Sequence, residues 1–433
     1  MKRTVILLAT LASTQLGAES PKTFSLSTAF QESVKQSESL ASQEQTIRIA
    51  EAHYLQALGT VLPHLNAKAS EVIQDTTTTT SGSGNSVNTT LTRRSRPEVA
   101  INLQQPLFQG FREFRSLGIS TAEREKNRLN VARVKQLLFA DVARAYYTVL
   151  EVEQELKIQQ SIRGTLQQRI LDLKNRMNLG KSRESELLAT QSQLATLQAK
   201  IEATQGLVST ARDLLAFLVG HPVQQPLEDA FKVPNTLPSL DNWLAKLEQR
   251  PDRGSTHEAV RLAKWKLGYE KGDRYPTVDL NANYYPYRVG FQNDIHWDMT
   301  FSLNLPLFSG GAMRGRIREA AAQLKQTELA EQETRRRSEL ELTQAYHKLA
   351  AARSQETALQ RAETSAKAGY QAELADYQLG LINNLNLLQS LRDLQENRLA
   401  NNQAHYQTKL EYLQLLLAAG DLPPKELSLE VTP

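Results

Sequence analysis

Seven histidines, His53, His64, His221, His257, His296, His347 and His405, are the first side chains to weigh for chemistry. They are dispersed, and no two stand four apart on a helical pattern with a glutamate between them, so the spacing offers no zinc pair of the metalloprotease kind. Gly82-Ser83-Gly84 lies in a Ser/Thr-rich stretch with no helix pattern after it and reads as a flexible loop. No nucleophile elbow, phosphate-cradling loop or dinucleotide fingerprint occurs, so no cofactor is expected. Carboxylates are plentiful, but at helical spacing they read as solvated faces. The sequence carries no active site. Two clusters suit a membrane surface instead. Arg93, Arg94 and Arg96 could meet lipid phosphates or protect a strand edge. Tyr284, Tyr285, Tyr287 and Trp297 could form an aromatic belt at a membrane interface or pack between loops.

Composition narrows the setting. Lys2-Arg3, the apolar run Val5 to Ala12 and the small residues Gly17-Ala18 have the layout of a secretory signal over residues 1–20. Without Lys2 and Arg3 the chain keeps 49 basic residues against 47 acidic, so its pI near 9.0 marks a small imbalance and no nucleic-acid surface. With no cysteine there is no disulfide, thiolate metal site or lipidated cysteine. Mean hydropathy is −0.45, and no segment after the signal is apolar enough for a spanning helix. A β-barrel stays open, because alternating strands leave little hydropathy trace.

The elements that must position everything else are written twice. Pro106-Leu107-Phe108-Gln109-Gly110 returns as Pro306-Leu307-Phe308-Ser309-Gly310, an offset of 200. At that offset Leu179-Gly180 meets Leu379-Gly380, and Gly220 meets Gly420. Earlier residues align at 213: Phe30 with Trp243, Gly59 with Gly272, Pro63 with Pro276. The 13 extra residues of the first copy fall in the Thr/Ser/Gly stretch after Asp75, which marks a loop. The expected organisation is a first repeat at 21–220, a linker at 221–240, a second repeat at 241–420 and a tail at 421–433.

Each repeat begins with a helix, the first from Leu26 to Leu62, ended by Pro63. A change to period two follows, giving β-hairpins at 64–107 and 277–307. In the second, Val278, Leu280, Ala282 and Tyr284 face one way, and Asp279, Asn281, Asn283 and Tyr285 the other. Strands of about 10 residues suit a tilted crossing of an outer membrane. Four strands cannot close a barrel, where about 8 is the minimum, so a spanning chain must oligomerise. The other reading is a soluble sheet packed on the helices.

Period 3.5 then takes over, with Leu138, Val142, Ala145, Val149, Val152 and Leu156 continuing through Gln159 and Arg163 to Leu166, Ile170, Leu173 and Met177. About 65 such residues make a helix of about 100 Å. Gly180 and Gly380 end the long helices, and return helices complete helical hairpins at 111–220 and 311–420. The second return seam holds Asn401 and Thr408 and is expected to be wetter.

Helix, proline, strand, loop, strand closing in Pro-Leu-Phe-x-Gly, long helix, Leu-Gly bend and return helix, all duplicated, resembles the TolC-like outer-membrane efflux proteins over about residues 22–420. The resemblance implies an α+β membrane protein: a homotrimer with one 12-stranded barrel, four strands from each chain, continued by a periplasmic α-helical barrel of coiled-coil hairpins. It implies the exit duct of a tripartite efflux or type I secretion system, working with a periplasmic adaptor and an inner-membrane pump. The tips Leu179-Gly180-Lys181 and Leu379-Gly380-Leu381 would meet the adaptor. The constriction would lie among Gly180, Glu186, Gly380, Asn383, Asn386 and Gln389. Some members hold aspartates at the positions of Asn386 and Gln389, so the neutral residues here depart from a carboxylate ring, and Glu186 could restore charge or simply be solvated. Tyr284, Tyr287 and Trp297 would meet lipid at the membrane interface. The competing reading of the heptads is a coiled-coil envelope scaffold without a pore.

Overall fold

A computed structural model describes residues 23–75, 94–290 and 292–421. The signal-like segment, most of the Thr/Ser/Gly loop with Arg93, and nearly all of the tail lie outside the described residues.

The first repeat opens with two helices, α1 (Leu26–Gln36) and α2 (Glu38–Gly59), in place of the single helix expected to Leu62. Ser37 causes the break: it has extended backbone, its N–H closes α1 on Ser33, and its hydroxyl accepts the Leu40 N–H at 3.2 Å to cap α2. Strands β1 (His64–Ile73) and β2 (Ser95–Gln109) follow, then α3 (Arg112–Asn178) and α4 (Glu184–Val219). Between the repeats the chain is irregular up to α5 (Leu240–Leu244) and one 3₁₀ turn. The second repeat comprises α6 (Pro251–Gly272), β3 (Thr277–Arg288), β4 (Trp297–Asn304), α7 (Ala312–Leu379) and α8 (Asn384–Ala419).

The strands form one antiparallel sheet in the order β1-β2-β3-β4, with the two repeats joined between β2 and β3. β2 runs on through Pro106 to Gln109, and its pairing to β3 shifts between Pro106 and Phe108, where proline offers no N–H to the ladder. β4 stops at Asn304, short of the expected Leu307, because it is an edge strand and Pro306 has no partner to hold it. The face with Leu280, Tyr284, Met299, Phe301 and Leu303 is apolar. The other face carries a row of amides and carboxylate: Asn102 donates to Asn283 Oδ1, and Asn283 donates to Asp298 Oδ1, both at 2.7 Å.

The helices α3 and α7, of 67 and 68 residues, extend about 100 Å from the sheet. The main core lies part-way along, where Phe30, Phe139, Val142, Tyr146, Leu215, Trp243 and Leu415 are buried together. Phe30 and Trp243, partners in the duplication, thus meet in one cluster. Tyr146 fastens the inter-repeat segment there: its hydroxyl lies 2.6 Å from the Phe24 carbonyl and accepts the Glu228 N–H at 2.9 Å. Burial raises its pKa well above the usual phenol value. Farther out, Gln159 makes a polar layer in the α3 seam: its amide nitrogen donates to Thr204 Oγ1 at 3.0 Å and Glu155 Oε1 at 2.9 Å, while its buried Oε1 has no hydrogen-bond partner among the described residues. The α8 seam is drier than expected at Thr408, which is buried and back-bonds to Ala404 O. Asn401 is half-buried and donates to Glu363.

Candidate functional site

The far ends of the helical hairpins hold most of the expected site residues. At the first tip Gly180 has φ +68°, Gly180 N–H donates to Met177 O at 2.9 Å, and Lys181 N–H to Arg176 O at 2.8 Å. At the second, Gly380 has φ +78°, with the same two bonds to Tyr377 O at 3.1 Å and from Leu381 to Asp376 O at 2.9 Å. Both are Schellman turns, in which the left-handed residue is almost always glycine. Leu179, Leu379 and Leu381 project into solvent, each more than two-thirds exposed, and Lys181 is exposed beside them.

The return helices start differently. Asn383 caps α8 by accepting the Asn386 N–H at 3.1 Å, whereas Arg183 before α4 makes no side-chain cap. Asn386 and Gln389 lie on the exposed face of α8, and Gln389 donates to Asp393 Oδ1 at 2.9 Å. Glu186 accepts the Ser182 hydroxyl at 2.6 Å. These positions do not converge on a ligand site. Among the described residues no group of His, Asp or Glu is placed to hold a metal ion.

What the structure brings together is a set the sequence did not single out. Arg169 of α3 is buried, its guanidinium 3.5 Å from the centre of the Tyr377 ring of α7. Its Nε donates to Asn384 Oδ1 of α8 at 2.9 Å. Asn384, 1% exposed, donates in turn to Thr190 Oγ1 of α4 at 3.1 Å and to the Glu186 carbonyl at 3.3 Å. Arg176 lies against Tyr377 at 4.6 Å. One buried cation therefore ties all four long helices together just inside the tips. Burial lowers the Arg169 pKa, but a guanidinium stays charged, so the ring face and the amide supply part of the compensation that water would, and one buried terminal nitrogen has no hydrogen-bond partner among the described residues. The available signal was Arg169 interrupting the apolar frame of Leu166, Ile170 and Leu173. The duplication hid it, since the matching positions are Gly369, Met177, Glu184 and Ser390.

At the opposite end, Tyr284 and Trp297 pair across β3 and β4 and, with Tyr287, are more than half exposed on or beside the apolar face. Tyr285 points the other way and donates to Asp298 Oδ2 at 2.8 Å. Arg96 donates to Gln74 Oε1 at 3.0 Å at the same rim. Among the described residues no helix is long and apolar enough to cross a membrane.

Comparisons with known proteins agree with this geometry. Outer membrane efflux protein BepC of Brucella suis is 22% identical over 344 residues, covering 78% of this chain and 75% of the relative. Alkaline protease secretion protein AprF of Pseudomonas aeruginosa is 23% identical over 343 residues, covering 76% and 70%. The crystal structure of the outer membrane protein VceC of Vibrio cholerae shares the fold at a TM-score of 0.77 and 18% identity, over 92% of this chain and 96% of that one. Residues 29–221 and 245–421 match the family described as outer membrane efflux protein, and the chain belongs to that family, placed in the outer membrane with a large periplasmic part.

Proposed function

We propose that three copies of this chain close one β-barrel in the outer membrane and one helical duct below it, through which an inner-membrane pump, joined by a periplasmic adaptor, expels its cargo. The observation that carries this is the sheet: four strands, apolar on one face and polar on the other, with β1 and β4 left as open edges. Open edges in lipid cost several kcal/mol for each unpaired group, whereas twelve strands have none. The relatives bear on the cargo, since one is named for efflux and one for secretion of a protease. Transport through such a duct is passive, and energy enters at the pump.

The exposed leucines beside Gly180 and Gly380 are the surfaces offered to the adaptor. The Arg169 cluster is the clasp that holds the entrance narrow, because spreading the hairpins would pull Arg169 and Asn384 off their partners. Planar-bilayer recording of the purified oligomer tests the duct. A small, steady conductance supports it, and a correctly folded oligomer that never inserts defeats it. Replacing Gly380 or Leu381 tests the tips: unchanged adaptor binding and unchanged efflux would remove them from the docking surface.

A further inference from the structure

The polar face of the sheet changes character along its length. Toward the helices it carries Gln104, Asn281, Thr300 and Ser302, with Asp279 accepting the Gln109 amide at 2.7 Å. Toward the hairpin turns it becomes basic. β1 and β2 pair without a shift from His64 opposite Gln104 to Ile73 opposite Ser95, so Arg96, Glu98 and Ala100 share the face of Asn102, with Lys68 opposite Ala100. The Gln74 N–H donates to Arg94 O at 2.9 Å, which carries the ladder one pair further and places Arg94 on that face too. Arg288 is compensated: its Nε lies 2.9 Å from Glu98 Oε2, and its guanidinium 4.2 Å from the centre of the Tyr285 ring. Arg96 has the neutral Gln74 as its side-chain partner, and its Nε is buried without a hydrogen-bond partner among the described residues. Lys68 and Arg94 are exposed. The four cations of this end therefore meet two carboxylates on their face, Glu98 and Asp298, and counting Asp294 of the β3–β4 turn still leaves it positive. Glu71 and Asp75 alternate onto the other face, and residues 76–93 contain Arg93 and no carboxylate.

We propose that the hairpin-turn end of the duct is its selective segment, a ring of Lys68, Arg94 and Arg96 from each copy that favours anions, and that the exit thereby suits solutes bearing carboxylate, phosphate or sulfate groups. This deepens the three-copy duct proposed above and rests on it, since closing the barrel turns the polar face inward. Each copy adds its own surplus of positive charge to one narrow cross-section. Strands and lipid around a water-filled passage are poor dielectrics, so they focus the field along it and raise the local concentration of counter-ions. Arginine adds chemistry to charge, because its forked N–H donors match the paired oxygens of carboxylates and phosphates. At the other end of the duct Asn386 and Gln389 are neutral, and Glu186 is engaged by Ser182. The long-range preference for one sign of ion is therefore set where the solute leaves, and the cargo it favours is anionic.

Reversal potentials of the full-length protein in a planar bilayer under a potassium chloride gradient test this. Near 0.1 M salt, where the screening length is about 10 Å, the parent should pass chloride over potassium by several-fold, and near 1 M, where that length is about 3 Å, the preference should fade. Arg94→Gln with Arg96→Gln should abolish the preference at the lower salt, and adding Lys68→Gln should tip it toward potassium. Glu71→Gln, on the opposite face, should match the parent. Tyr377→Leu alters the far end without changing any charge, so the preference should survive it. Inositol hexakisphosphate, added to one side at a time, should block the parent from a single side and the double variant from neither. A conducting parent that favours potassium or neither ion, a preference untouched in the double variant, or one lost in Tyr377→Leu would each overturn the ring. Equal block of parent and double variant by the polyanion would do the same. A folded oligomer that never conducts would instead defeat the duct, and the ring with it.

Discussion

The helices α3 and α7 are copies of one element and nearly equal in length, yet α3 buries seventeen residues and α7 eight. α3 packs against α2 and α6 near the sheet and against α1, α4 and α8 farther out, whereas α7 has α6, α8 and the short α5. Duplicated sequence therefore does not give duplicated surroundings. One half of the chain is finished by the other, and the second half is left with a face that no other described residues of the chain cover.

Core substitutions should expose that difference most strongly. Leu166 of α3 is fully buried, so Leu166→Ala should cost about 2–5 kcal/mol in denaturant unfolding through lost burial and the cavity left behind. Leu340 of α7 is 57% exposed, and Leu340→Ala should change the separated chain by about 0.5 kcal/mol or less. In the assembled oligomer the second value should grow. If Leu340→Ala were as costly in separated chains as Leu166→Ala, the contrast between the helices would not be one of missing neighbours.

The clasp sharpens the comparison at the tips. Arg169→Ala removes the cation from Tyr377 and unmoors Asn384, while position 369 of the second repeat is already glycine with open space around it. A desolvated cation–π contact of about 2 kcal/mol corresponds to roughly a thirtyfold change in the ratio of open to closed entrances. Single-channel conductance should rise accordingly. Tyr377→Phe, which keeps the ring, should stay near the parent, and Tyr377→Leu should follow Arg169→Ala. Equal conductance in all three variants would move the constriction elsewhere.

Much of this was legible before any coordinates. The two Pro-Leu-Phe-x-Gly segments, the Leu-Gly bends and the alternation around Leu280 and Phe301 follow from local rules of period and turn chemistry. The break at Ser37 was not legible, because a serine within an alanine-rich helical pattern signals a cap only when its neighbours leave the helix. The clasp was hidden for a different reason. Arg169, Thr190, Tyr377 and Asn384 come from four helices, their association is tertiary, and comparing repeats selects what is the same in both. Asn386 and Gln389 drew attention through a family pattern, yet their side chains lie on an exposed helix face.

A smaller effect separates the return helices. His405 of α8 has Glu356 of α7 at 2.8 Å and Asp229 of the inter-repeat segment at 3.7 Å, with Lys409 and Tyr406 on its own helix, whereas α4 has Gln205 at the matching place. Asp229, then Glu356, raise the His405 pKa against the opposing pull of burial and Lys409. A raised folded-state pKa gives stability that is fully present below the ordinary histidine value of about 6.5 and is lost as pH rises through the folded value. The ring is nearly half exposed, so the effect should be about 0.5 kcal/mol. Melting temperature should fall slightly on the alkaline side in the parent and lose that dependence in His405→Gln. A parent curve superimposable on the variant's would remove the histidine from the joint with the inter-repeat segment.

The subtlest contrast is between Glu186 and Asn386, equivalent positions with and without charge. Glu186 is half-buried and engaged by Ser182, so its charge is partly spent within its own tip, while Asn386 projects from α8 into solvent. In the proposed three-copy duct, Asn386→Asp therefore adds one free carboxylate per copy at the entrance, and three in a closed ring. At 0.1 M salt the screening length is about 10 Å, so such a ring attracts cations only where the passage is narrow. Reversal potentials across a salt gradient should shift toward cation selectivity in Asn386→Asp and move little in Glu186→Gln. The shift should shrink when Arg169→Ala is added, because a wider entrance puts the same carboxylates farther from the permeating ions. A selectivity change that survives the widened entrance would place Asn386 away from the constriction, and the asymmetry between the two tips would then concern docking and not the pore.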